Sequence, residues 1–189
     1  MENLNGMRVA ILVENGFEHA EMSKPREALQ EAGVETVLVS PQKEQVRAWE
    51  MKEWGKSYPV EQQLEKADPS RFDALLLPGG VMNPDHLRMN PKAVAFVKAF
   101  FDAGKPVAVI CHGPWTMIEA GVVRGRTMTS WPSLKTDLTN AGAKWVDQEV
   151  VVDQNVVASR KPDDIPAFNR EMLKLFAQRR GKAQAASRA

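Results

Sequence analysis

"VAVICHGPW", residues 107–115, contains the only cysteine of the 189-residue chain. Its first four residues are apolar, a run too short for a helix and long enough for a buried strand. Polar and turn-forming residues follow at once. Pro114 suits the first turn of a helix, where a backbone N–H is not needed, and Gly113 permits close backbone approach. The stretch therefore reads as strand, sharp turn and helix, with Cys111 on the turn. That is the geometry of a nucleophile elbow, and the helix start is expected to favour the thiolate and lower its pKa. From these residues alone, Cys111 is either such a nucleophile or a buried structural thiol. The ring of the adjacent His112 either lies beside the thiol or turns away from it.

Working outward, the same pattern recurs. "MRVAILV" (7–13), "VETVLVS" (34–40) and "DALLLPGG" (73–80) are further buried strands. Helices are predicted over 18–32, 90–104, 114–120, 133–142 and 163–180, the last capped by Asp163 or Asp164. Pro25 predicts a kink or a late start in the first of them. Residues 41–71 have room for a small hairpin punctuated by Gly55 and Pro59, and 149–159 reads as two strands around a turn. This alternation predicts an α/β fold in a single domain, with a mostly parallel sheet sandwiched by helices and the 149–159 pair as its antiparallel part. The domain is expected to span 7–180, between a short tail (1–6) and a disordered polar tail (181–189). Sites in such sheets form beyond the carboxyl ends of the strands. "ENGFE" (14–18), "PGGVMNPD" (78–85) and "CHGP" (111–114) all fall there.

Composition removes several classes of function. The 25 basic and 24 acidic residues leave a net charge of +1, with no electrostatic footprint for nucleic acid or an anionic membrane. A lone cysteine forms no internal disulfide, and no apolar run approaches the roughly 18 residues of a membrane span. With no secretory leader in view, a cytoplasmic location is expected. The chain's three histidines are His19, His86 and His112. None follows Cys111 except its neighbour, which excludes the class I glutamine amidotransferase, α/β-hydrolase and papain-like orders of nucleophile and base. Too few Cys and His ligands are available for a zinc site, so neither a metal nor a cofactor is expected.

Here the motifs carry a resemblance. "AVICHGPW" after "LLLPGG", with "GFEHAE" near the start, resembles the ThiJ/PfpI superfamily of the class I glutamine-amidotransferase-like, flavodoxin-like fold. The likeness runs over about residues 7–177 and is strongest to the PfpI branch of intracellular proteases and general stress proteins. It implies that Cys111 is the elbow cysteine and His112 the histidine that serves it. It implies that Glu18, in "GFEHAE", is the acid leaning on the thiol, and we expect that acid to hold a proton near neutral pH. Gly80 and the His112 backbone N–H match the oxyanion hole. Asp85 falls where some members have a Glu that reaches across a subunit interface to complete a Cys-His-acid triad, although Asp has the shorter reach. Self-association into a dimer or larger assembly is implied with it. Trp131–Pro132 resembles the family's aromatic–Pro loop beside the pocket, and Trp49, Trp54 and Tyr58 are candidates for a subunit contact.

The activities implied are those of a stress-response peptidase, a glutathione-independent glyoxalase or a deglycase. Each starts with thiol addition to a carbonyl carbon, on a small carbonyl or a peptide substrate. The alternative is a redox-sensing, stress-protective protein whose cysteine is oxidised to the sulfenic and then the sulfinic acid.

Overall fold

The computed structural model describes residues 4–186, with side chains to 179; residues 1–3 and 187–189, parts of the two expected tails, lie outside the described residues. Strand β1 (Arg8–Leu12) is followed by the two-residue β2 (Phe17–Glu18) and helix α1 (His19–Glu31). Strands β3 (Glu35–Ser40), β4 (Gln45–Glu50), β5 (Glu53–Pro59), β6 (Gln62–Gln63) and β7 (Ala74–Leu77) come next. Helices α2 (Met82–Met89) and α3 (Pro91–Asp102) lead to β8 (Val107–Ile110) and α4 (Pro114–Glu119). The chain finishes with β9 (Thr127–Met128), α5 (Lys135–Asn140), β10 (Lys144–Trp145), β11 (Val150–Asp153), β12 (Val156–Ser159) and α6 (Ile165–Ala186).

The main sheet has seven strands in the order β11-β12-β8-β7-β1-β3-β6. Every pairing in it is parallel except β11 with β12. Its central strands are buried on both faces, which is why they read as unbroken apolar runs. Alternate residues serve opposite layers. Val9, Ile11, Leu76 and Ile110 pack on one side with Met22 and Leu29 of α1 and Phe168 and Phe176 of α6. Ala10, Leu12, Leu75, Leu77 and Val109 face the other side, against Phe96 and Phe100 of α3 and Met117 of α4. This is the α/β sandwich that the alternation predicts, in the flavodoxin-like form that the resemblance implies.

Local details differ from the sequence reading. Helix α1 starts at His19 and runs unbroken through Pro25, which packs on its buried face. The hairpin in 41–71 is formed by β4 and β5, but it turns beyond Glu50, where Met51 has a φ of 58°, and Gly55 lies inside a strand. Asp164 does not cap α6; its carboxylate accepts from the Arg160 backbone N–H and guanidinium. The last helix continues past 180 to Ala186. Leu4 is fully buried and donates its N–H to Ala32 O, so it is tied into the fold.

Candidate active site at the Cys111 turn

Cys111 directly follows β8 with a φ of 62°, a left-handed conformation that a residue with a Cβ adopts at a cost. Its N–H donates to Ser159 O and its carbonyl accepts from Trp131 N–H, both at 3.0 Å. The turn is thus anchored to β12 and to the 131–134 segment. Gly113 is required beside it, because a Cβ there would meet Leu77 O at 2.7 Å. The thiol ends up only 6% exposed.

The groups around the sulfur come from three strand ends. The His112 ring turns toward the thiol, with Nδ1 3.1 Å from Sγ. The backbone N–H groups of Gly80 and His112 face the sulfur and lower its pKa. The Glu21 carboxyl, in the first turn of α1, lies beside the thiol, and its charge raises the thiol's pKa. Glu21 Oε2 also accepts the Gly79 N–H at 2.8 Å. Gly79 is a glycine by necessity, since a Cβ would lie 2.5 Å from Glu21 Oε2 and 2.6 Å from Cys111 Cβ.

The acid at the thiol is therefore Glu21, and this corrects the expectation for Glu18. Glu18 sits in β2, at the position that precedes α1, and is half-buried. Its burial raises its carboxyl, but it meets the site through its backbone, whose N–H donates to Gly79 O at 3.4 Å. Glu21 is the residue that the helix turns inward, in line with Pro25 and Leu29. That alignment was the available signal: an acid at i on a stripe whose i+4 and i+8 members are buried.

Burial also decides the electrostatics. Glu21 is completely buried and its carboxyl is pushed up to about 8 by desolvation. The thiol is raised as well, first by burial and then by the Glu21 charge, and the Gly80 and His112 N–H groups offset this only in part. The expected lowering by the short α4 does not prevail. His112 is pushed down to about 4 by desolvation, so its imidazole is neutral near pH 7. Trp131 stacks on that ring at a centroid distance of 5.9 Å, and Trp115 meets it edge-on at 5.1 Å. Ser133 Oγ is 3.5 Å from Nε2.

Asp85 is placed elsewhere. It lies on α2, partly exposed, and pairs with Arg88 of its own helix at 2.8 Å. Arg88 in turn covers the Trp115 ring at 4.6 Å. His86 follows on the same helix, and His19 bonds Tyr58 Oη at 2.6 Å. Among the described residues no group of three or more His, Cys, Asp or Glu is assembled to hold a metal ion, and no helix is long and apolar enough to cross a membrane.

Residues 7–175 match the model of the DJ-1/PfpI family. The chain belongs to that family. It is 46% identical over 170 residues to Deglycase PH1704 of Pyrococcus horikoshii, which covers 90% of this chain and 99% of the relative. It is 41% identical over 170 residues to the putative cysteine protease YraA of Bacillus subtilis, with 89% and 98% covered. A similar solved structure is a two-domain protein with DJ-1/ThiJ/PfpI-like and ferritin-like domains from Anabaena variabilis, with a TM-score of 0.84 and 37% identity. That similarity covers 89% of this chain and 47% of the larger protein. These two relatives carry different activity names, and neither name by itself fixes the reaction of this DJ-1/PfpI chain.

Proposed function

We propose that this DJ-1/PfpI protein is a cysteine-dependent enzyme that acts on reactive carbonyls, as a deglycase or a glutathione-independent glyoxalase. The observation that carries the reading is the convergence on one sulfur of a base, an acid and two backbone donors. As Sγ attacks the carbonyl carbon, the thiol proton passes to His112 Nδ1. The Gly80 and His112 N–H groups then hold the oxygen that gains charge. Glu21, protonated below about pH 8, adds no repulsion and keeps its proton as a donor. A carboxylate at Nε2 stabilises the imidazolium that forms. Asp85 supplies it only from a second copy, so this reading requires a homo-oligomer. A peptide bond fits poorly, because a cysteine 6% exposed, beside a His112 ring flanked by Trp131 and Trp115, admits small electrophiles more readily than a polypeptide.

The test is lactate formation from methylglyoxal without glutathione, together with release of methylglyoxal from glycated cysteine or arginine. The native protein turns over, and Cys111→Ala does not. Equal turnover in the two would refute the assignment.

A second reading draws on the same carboxyl. A protonated Glu21 beside the sulfur also favours a sulfinate oxygen as its acceptor, which suits a redox-sensing role. Intact mass after dilute peroxide separates the two readings. Rapid gain of two oxygens without carbonyl turnover favours the sensor.

A further inference from the structure

The helix α2 residue Asn83 is fully buried, and its side-chain amide binds three separate points of backbone. Its Oδ1 accepts the Glu14 N–H, beyond the end of β1, at 2.7 Å. Its Nδ2 donates to Pro78 O at 3.0 Å and to Gly79 O at 2.9 Å. The Glu14 contact settles which end of the amide faces which way, because only the oxygen can accept an N–H. The nitrogen is thereby committed to the two carbonyls of the Pro78–Gly79 loop.

The Gly79 carbonyl belongs to the same planar unit as the Gly80 N–H. Among the described residues no peptide bond is cis, and in a trans unit the C=O and N–H point to opposite sides. Holding Gly79 O toward Asn83 therefore turns the Gly80 N–H the other way, toward Cys111. The Glu18 N–H assists at 3.4 Å. Gly80 itself imposes no direction on this loop. Its φ is +78° and a Cβ would meet Gly16 O at 2.4 Å, so only glycine fits there, and with no side chain it adds no contact of its own to orient the loop.

We infer that Asn83 is a positioning residue for the thiol chemistry, whose amide clamps the Gly79 carbonyl and so aims the Gly80 N–H at the Cys111 sulfur. The inference concerns the site of the proposed function and rests on that site's reading for its relevance to turnover. Its mechanism is independent of any substrate. The Gly80 N–H favours the thiolate, and Asn83 keeps that donor in place before a substrate arrives, as pre-organisation requires.

The experiment is the pH dependence of Cys111 alkylation by iodoacetamide in the native protein, Asn83→Ala and Leu87→Ala. Leu87 is a buried residue of the same helix, so its truncation weakens α2 without touching the loop. In Asn83→Ala the alkylation midpoint moves to higher pH, and the rate below the midpoint falls about tenfold per unit moved. Leu87→Ala keeps the native midpoint. A midpoint unchanged in Asn83→Ala, or moved equally in both variants, overturns the inference. If Asn83→Ala does not fold, 15N NMR of the native protein decides. The Asn83 side-chain amide is protected from exchange and the Gly80 amide follows the Cys111 titration; free exchange at Asn83 or a silent Gly80 amide overturns it. Alkylation needs no turnover, so a protein with this response and no carbonyl activity would sink the proposed function alone.

Discussion

The Glu21 carboxyl and the Cys111 thiol meet at Gly79, which gives its N–H to the carboxyl and where a Cβ would stand 2.5 Å from Glu21 Oε2 and 2.6 Å from Cys111 Cβ. One group comes from the first turn of a helix and the other from the end of a strand 90 residues later in the chain. Both are buried; burial raises the pKa of each, and the Glu21 charge raises the thiol further. Their proton inventory therefore governs both stability and reactivity.

Glu21 is protonated in the folded protein up to about pH 8 and ionised in the unfolded chain above its ordinary 4.5. Between those values the folded state binds the extra proton, so this group's contribution to stability falls as pH rises, by up to about 1.4 kcal/mol per unit. His112 acts in the opposite sense between its folded value of about 4 and its ordinary 6.5, where the unfolded state binds the extra proton. The two slopes cancel from 4.5 to 6.5, and the Glu21 slope stands alone from 6.5 to 8. Glu21→Gln is expected to remove the loss of stability across that upper window. Urea melts at pH 6.5 and 8 check this; a native-like loss in the variant contradicts it.

Trp131 and Trp115 keep water from the His112 ring, and desolvation is what holds its pKa near 4. Trp131→Ala is expected to raise that pKa toward 6.5. The acid limb of the pH–rate profile then moves up with it, and a histidine titration by NMR gives the same shift without substrate. An unmoved ring titration would show that Trp131 does not shield it.

The Asp85–Arg88 pair lies on a partly exposed helix face, where such a pair contributes about 0–1 kcal/mol. Asp85→Asn is expected to leave the melting temperature nearly unchanged while lowering kcat at least tenfold in the assembled protein. Light scattering with kinetics on the same sample tests it. Full activity in the variant, or in a strictly monomeric native protein, removes Asp85 from the mechanism.

Gly79 has Glu21 Oε2, Cys111 Cβ and Ile110 O all within 2.9 Å of where a Cβ would stand. Gly79→Ala has to displace the acid, the thiol or the strand end. We expect loss of turnover and a stability cost on the order of 1–3 kcal/mol. Thermal melts and alkylation rates measure both effects, and native values of both would contradict the packing described.

The strand–turn–helix reading of 107–115 and the alternation around it were enough for the fold class, because burial on both sheet faces writes itself into sequence as short apolar runs between polar turns. His112 beside Cys111 was legible as a pair for the same local reason, while the direction of its ring was not. The acid was misread: "GFEHAE" offers Glu18 and Glu21, and only the start of α1 at His19 decides which one turns inward. Asn83 carried no signal of its own, since its partners Glu14, Pro78 and Gly79 meet it through the packing of β1 and β7 under α2.

By itself the sequence determined the sandwich, the exposed ends of its strands and the thiol placed at one of them. The tertiary structure alone decided the state of that thiol. Whether a cysteine is activated or suppressed depends on how much water its neighbours remove and which polar atoms they bring instead. Here α1, the 78–80 loop and the indole of Trp131 converge from distant parts of the chain. Desolvation raises the acid and the thiol, lowers the histidine, and leaves the backbone N–H groups as the fixed donors around the sulfur.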